Sequence, residues 1–138
     1  MKVKLHAGAV APTRAHETDA GLDLYSRELQ IVPAKESAIF DTGVCVELPR
    51  GTCGILVSKS GLNIKYGITS EGLIDEGYQG SIKVKLYNNS GRDYYVGLGE
   101  KISQLIVVPV LYEDVELVDD FDHFTQRGTD GFGSSGRQ

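Results

Sequence analysis

Asp75 stands between Ile74 and Glu76 in the stretch GLIDEGYQG, residues 72–80, where an apolar approach can hold a carboxylate in position to orient a water as general base. An aspartate at such a place is more commonly a turn residue. Tyr78, an aromatic between glycines, either caps a core edge or forms the wall of a ligand pocket. Upstream, SKSGL (58–62) follows the apolar GILV and opens the one segment with helix-forming character. Unpaired N–H groups at a helix start, the small Gly61, and donors from Lys59 and Ser60 suit a phosphate there; a plain serine N-cap fits the pattern too.

Three more stretches interrupt the strand patterns with residues that neither pack nor merely turn. DAGLDLYS (19–26) sets Asp23 between two leucines, as a buried carboxylate satisfied by backbone donors would be. GEKISQLIV (99–107) is a turn leading into a strand, with Gln104 able to pair with a neighbouring loop. RGTDGFGSSGRQ (127–138) has too little apolar surface to hold itself in place. Its Arg127, Phe132, Ser134 and Ser135, set among glycines, suit a segment that closes over an anionic, flat-ringed ligand.

The totals narrow the setting. A length of 138 residues fits one domain, and 41% hydrophobic with 24% charged residues is ordinary for a soluble protein. A net charge of -5 argues against a general nucleic-acid surface, so any phosphate site must be local. The three histidines, His6, His16 and His123, lack metal-ligand spacing, and Cys45 and Cys53 are expected as buried free thiols. MKVKLHAGAV lacks the long apolar region of a signal peptide and no 18-residue apolar run occurs, so a cytoplasmic protein without a membrane partner is expected.

Short runs alternate at period two, most clearly SIKVKLYN, with Ile82, Val84 and Leu86 on one face and Lys83, Lys85 and Tyr87 on the other. GVCVELP and CGILVS repeat the theme. QLIVVPVLY is apolar almost throughout, as for a strand covered on both faces by another sheet or a partner subunit. Turn signals in PAKES, LPRG, NNSGRD and GLGE punctuate these runs at the spacing of an all-β sandwich or barrel. The one helical candidate, SGLNIKYG, would start near Ser60.

Five such stretches in this order, from Asp19 to Gly136, resemble the trimeric deoxyuridine triphosphate nucleotidohydrolases, the dUTPases. The resemblance implies an all-β, jelly-roll-like domain over residues 1–126 with a C-terminal lid at 127–138. It implies a homotrimer whose active sites each draw on three subunits. The implied reaction is Mg2+-dependent hydrolysis of dUTP to dUMP and pyrophosphate, which keeps uracil out of DNA and supplies dUMP for thymidylate synthesis. Asp75 would activate the water, and Lys59, Ser60, Gly61, Gln104, Arg127 and Ser134 would hold the phosphates. Backbone around Leu73, Ile74 and Lys83 would read the uracil edge, with Thr69 nearby. Tyr78 would lie beneath the deoxyribose, and Phe132 with Gly133 would cover the base. Asp23 would orient the site from behind, and the Mg2+ would be held by triphosphate and water, with no protein ligand.

Family members usually carry arginine at Lys59, whose lysine cannot make a planar two-pronged contact, and often asparagine at Thr69. Deoxycytidine triphosphate deaminases share the fold but are typically longer and use a further glutamate. A nucleotide-sensing regulator with a protein partner, as some phage members are, is a second alternative. A plain β-sandwich binding module leaves the five stretches unexplained.

Overall fold

Alternation buries Ile82, Val84 and Leu86 completely and leaves Lys83 and Lys85 in solvent, so SIKVKLYN forms the strand its pattern requires. The computed structural model describes residues 1–129. In chain order the described residues form β1 (Lys2–Leu5), β2 (Leu22–Tyr25), β3 (Gln30–Val32), β4 (Ser37–Glu47), β5 (Thr52–Val57), α1 (Ser60–Tyr66), β6 (Ile68–Ile74), β7 (Ser81–Asn88), β8 (Tyr94–Val96) and β9 (Lys101–Pro109). The fold is nearly all-β with one short helix.

Seven strands join in the order β1-β4-β7-β6-β5-β9-β2, every pairing antiparallel, and β3 pairs separately with β8. The sheet curls round one core whose largest fully buried side chains include Phe40, Leu24, Ile68, Ile82, Leu86 and Leu105. β5 lies inside the sheet, between β6 and β9. Gly54 on β5 permits this closeness, because a Cβ there would meet Leu105 Cδ1 at 2.8 Å and Ile74 Cβ at 3.1 Å. After α1, Gly67 takes the left-handed conformation at φ 69°, and its N–H closes on the helix carbonyls.

QLIVVPVLY divides rather than running on as one covered strand. β9 stops at Pro109, which has no N–H to extend the ladder, and Leu111 and Tyr112 beyond it are exposed. Ile106 and Val108 are only half-buried. Residues 111–129 contain no regular secondary structure, and their Val115, Leu117, Phe121 and Phe124 lie open to solvent. Cys45 and Cys53 are both free thiols; Cys45 is buried as expected, whereas Cys53 is only half-buried.

Candidate functional site

The residues singled out by chemistry assemble into two groups. The first centres on Asp23, which is 3% exposed. Pairing of β2 with β9 sets Asp23 opposite Gln104, and pairing of β5 with β9 sets Val57 opposite the same glutamine. Lys59, just past the end of β5, therefore arrives at the aspartate. Its Nζ lies 2.5 Å from Asp23 Oδ1, Lys101 Nζ lies 2.7 Å from Oδ2, and Gln104 Nε2 donates to Oδ1 at 3.4 Å. Burial pushes the Asp23 carboxyl up, but the hydrogen bonds and charges of Lys101 and Lys59 outweigh it and hold the group below its usual 3.8. Two ammonium groups round one carboxylate leave a net positive cradle, which suits an anion.

Ser60 and Gly61 are exposed beside that cradle, and nothing lies within 4 Å of where a Gly61 Cβ would stand. The N-cap position belongs to Lys59, which makes no side-chain capping bond, so the serine N-cap alternative does not hold. Ser58 does the anchoring. Its Oγ accepts from Ser70 N–H at 2.9 Å and donates to Ser70 C=O at 3.1 Å, while Ser70 Oγ meets Ser103 Oγ at 2.8 Å. These hydroxyls, of which those of Ser70 and Ser103 are buried, fasten the loop after β5 to β6 and β9. Lys101 escaped sequence reasoning, since only the β2–β9 register brings it to a residue 78 positions earlier in the chain. Asp23 is satisfied by two lysines and Gln104, not by the expected backbone donors.

The second group surrounds the β6–β7 hairpin. These strands pair only at Ile68↔Asn88, Thr69↔Tyr87 and Ser70↔Leu86. Beyond that point β6 bonds to β5 through Ile74, and β7 bonds to β4 through Ser81. The hairpin therefore splays into a slot between about residues 71–74 and 81–85, where no β6–β7 ladder pair forms. Thr69 sits where the slot closes and accepts from Asn89 Nδ2 at 3.1 Å, in a polar cleft of about 250 Å³. Leu73 and Lys83 are exposed on the walls, and Ile74 is buried.

At the open end the chain turns back, with Tyr78 N–H donating to Asp75 C=O at 3.0 Å. The Tyr78 ring folds across Gly80 and its hydroxyl donates to Ser81 C=O at 3.0 Å, so the ring floors the mouth of the slot. Asp75 is exposed there, and its carboxylate has no hydrogen-bond partner among the described residues. Arg127 is exposed near the end of the described chain; Phe132, Gly133 and Ser134 lie outside the described residues.

The two groups do not meet within one chain. Asp75 comes one step beyond the Gly54↔Ile74 pair, opposite Cys53, whereas Lys59 follows Val57 at the other end of β5. Six residues of strand separate those ends by roughly 20 Å. Among the described residues no cluster of three or more His, Cys, Asp or Glu could take a metal ion, and no helix is long and apolar enough to cross a membrane.

Comparison with known proteins gives close relatives over nearly the whole chain. The chain is 44% identical over 136 residues to a deoxyuridine 5'-triphosphate nucleotidohydrolase of Clostridium acetobutylicum, covering 96% of this chain and 93% of that one. A counterpart from Paramecium bursaria Chlorella virus 1 is 41% identical and covers 96% and 94%. The dUTPase of Staphylococcus bacteriophage 80alpha bound to dUpNHpp superposes with a TM-score of 0.93 at 32% identity, covering 99% of this chain and 98% of that one. A variant dUTPase from phage phi11 of S. aureus, solved for the coordination of a structural Mg(II) ion, matches with a TM-score of 0.81 at 29% identity, covering 88% and 98%. The dUTPase family model spans residues 7–136, and the chain belongs to the dUTPase family.

Proposed function

We infer that this chain hydrolyses dUTP to dUMP and pyrophosphate, the activity for which its relatives are named. The observation that carries the inference is the open β6–β7 hairpin, whose strands leave each other for different neighbours beside the exposed Asp75 carboxylate. Backbone N–H and C=O groups there would pair with the edge of uracil. Cytosine would set a donor against a donor, and leaving that buried group unpaired strongly disfavours it. The Tyr78 ring at the mouth would lie under the deoxyribose and crowd a ribose 2′-hydroxyl.

Each catalytic centre would draw on three chains of a homotrimer, with the hairpin from one, the phosphate cradle from another and the C-terminal tail from the third. Asp75 from one chain and the Asp23-centred cradle from another must converge, since a single chain holds them at opposite ends of β5. Lys59, Ser60, Gly61, Gln104 and Lys101 hold the triphosphate. Two lysines give two single-point contacts where an arginine would give one fork. Asp75 takes a proton from water, the water oxygen bonds to the α-phosphorus, and the bond from that phosphorus to the bridging oxygen breaks, with pyrophosphate leaving. Both oxygens of Asp23 are engaged by lysines, so this donor set leaves magnesium to arrive on the triphosphate, where it would neutralise charge. Arg127, Phe132, Gly133 and Ser134, beyond or at the end of the arm, would close over the nucleotide, and residues 127–138 act as its lid.

The test is pyrophosphate release with Mg2+ and dUTP, dTTP, dCTP or UTP offered separately to the wild type and to Asp75→Asn. Release with dUTP alone, falling about 10²–10⁴-fold in the variant, is expected. Near-normal turnover by Asp75→Asn would remove the aspartate from the mechanism. A regulatory role beside hydrolysis draws support from the phage 80alpha dUTPases, which are described as controlling transfer of virulence genes by a G protein-like mechanism. It would be seen as dUTP-dependent capture of a protein partner.

A further inference from the structure

Glu76, the neighbour of Asp75, is fastened at two points. Its Oε2 accepts from Gly51 N–H at 2.9 Å and from the Tyr112 hydroxyl at 2.8 Å. Gly51 lies in the turn between β4 and β5, held at φ 72°, and its own carbonyl accepts from Val110 N–H at 2.9 Å. The three bonds close a ring through the β4–β5 turn, the β6–β7 turn and the start of the C-terminal arm. A cleft of about 360 Å³ lies inside it, lined by Asp75 and Glu76 together with Cys53, Leu73 and Tyr112. The bond from Gly51, then that from Tyr112, and the nearby Arg50 charge hold the Glu76 carboxyl below its usual range, so it stays an acceptor at neutral pH.

Asp75 has no such restraint of its own. Its carboxylate has no partner among the described residues, and its backbone is tied locally only by the bond from Tyr78 N–H. The direction in which Asp75 points is thus set by the residue beside it. Tyr112 also lies near the start of the irregular segment that leads to Arg127, and its bond to Glu76 ties that segment to the β6–β7 turn. We propose that Glu76 is a positioning residue: by gripping Gly51 and Tyr112 it holds the Asp75 turn in place and links it to the root of the C-terminal arm. This rests on the reading of Asp75 as general base.

The experiment uses the full chain with Mg2+ and follows three readouts: kcat and KM for dUTP, affinity for dUpNHpp, and hydrogen exchange at the Tyr78 amide. In Glu76→Ala, kcat is expected to fall by about 10–100-fold, the scale of a misplaced catalytic group. KM and dUpNHpp affinity stay close to wild type, because the slot and the cradle are untouched, and the Tyr78 amide exchanges faster. Glu76→Gln keeps an oxygen that can accept both bonds and should retain most of kcat. Tyr112→Phe loses one bond with little change of volume, lowers kcat less, and adds nothing further in the Glu76→Ala background. An active wild type with unchanged kcat in both Glu76→Ala and Tyr112→Phe overturns the proposal, as does a loss of dUpNHpp affinity that matches the loss of kcat. Should Glu76→Ala fail to fold, Tyr112→Phe decides alone. Should the wild type release no pyrophosphate, the functional reading fails, and unchanged Tyr78 exchange in the variants would then sink the tie as well.

Discussion

Replacing Asp23 by asparagine tests the cationic cradle directly. Wild-type Asp23 gives one oxygen to Lys59 at 2.5 Å and the other to Lys101 at 2.7 Å while 3% exposed. Asparagine keeps one acceptor and turns an N–H2 donor towards the second lysine, so one charge-assisted hydrogen bond is lost, a change of about 1.5–3 kcal/mol. The lysines reach solvent and can relax, which brings the expected cost to about 1–2 kcal/mol. For a chain of this length that lowers the midpoint of thermal unfolding by about 3–8 °C. The same substitution raises the positive charge of the cradle, so pyrophosphate binds the variant more tightly. Saturation at 100 times the dissociation constant stabilises a folded protein by about 2.7 kcal/mol, enough to offset the whole loss. The assay is thermal unfolding of both proteins across a pyrophosphate titration. Equal midpoints without the anion, or equal gains with it, would refute the view that Asp23 restrains two lysines that wait for phosphate.

Two further outcomes follow from the geometry. A Cβ added at Gly80 would stand 2.5 Å from Tyr78 Oη and 2.7 Å from Cζ, so Gly80→Ala should swing the exposed ring outward. Discrimination between dUTP and UTP should then fall by roughly tenfold, the scale of a modest pocket contact, with the protein still folded; an unchanged ratio in pyrophosphate release would clear Tyr78 of sugar selection. The folded-state pKa of Asp23 lies below its unfolded value of 3.8, so its stabilisation is complete above that value and is lost as pH falls through the lower one. Acid unfolding of the wild type should steepen below about pH 4, and Asp23→Asn should flatten that limb; the same slope in both proteins would contradict the assignment.

Much of the fold was legible because burial of one face writes itself into alternation. Ile82, Val84 and Leu86 could be placed inside from their spacing, and the helix at Ser60 from the glycine-bounded segment. What escaped was whatever depends on which strand lies beside which. The bond between Lys101 and Asp23 needs the β2–β9 register, and the splayed hairpin needs β6 and β7 to leave each other for different neighbours. The apolar run through Val108 to Tyr112 concealed the end of β9, since hydrophobicity says that a residue must be covered but not by what. Glu76 was visible only as the neighbour of Asp75, for a carboxylate's worth lies in donors that may come from anywhere in the chain, here Gly51 and Tyr112.

The separation of Asp75 from Lys59 along β5 has a genetic consequence. If each centre borrows its base from one chain and its phosphate cradle from another, a mutation in either leaves the other half intact. Two alleles, one lacking the base and one lacking the cradle, would each be dead alone yet revive together. In randomly mixed trimers formed from equal amounts of both, about a quarter of the centres would receive two sound halves.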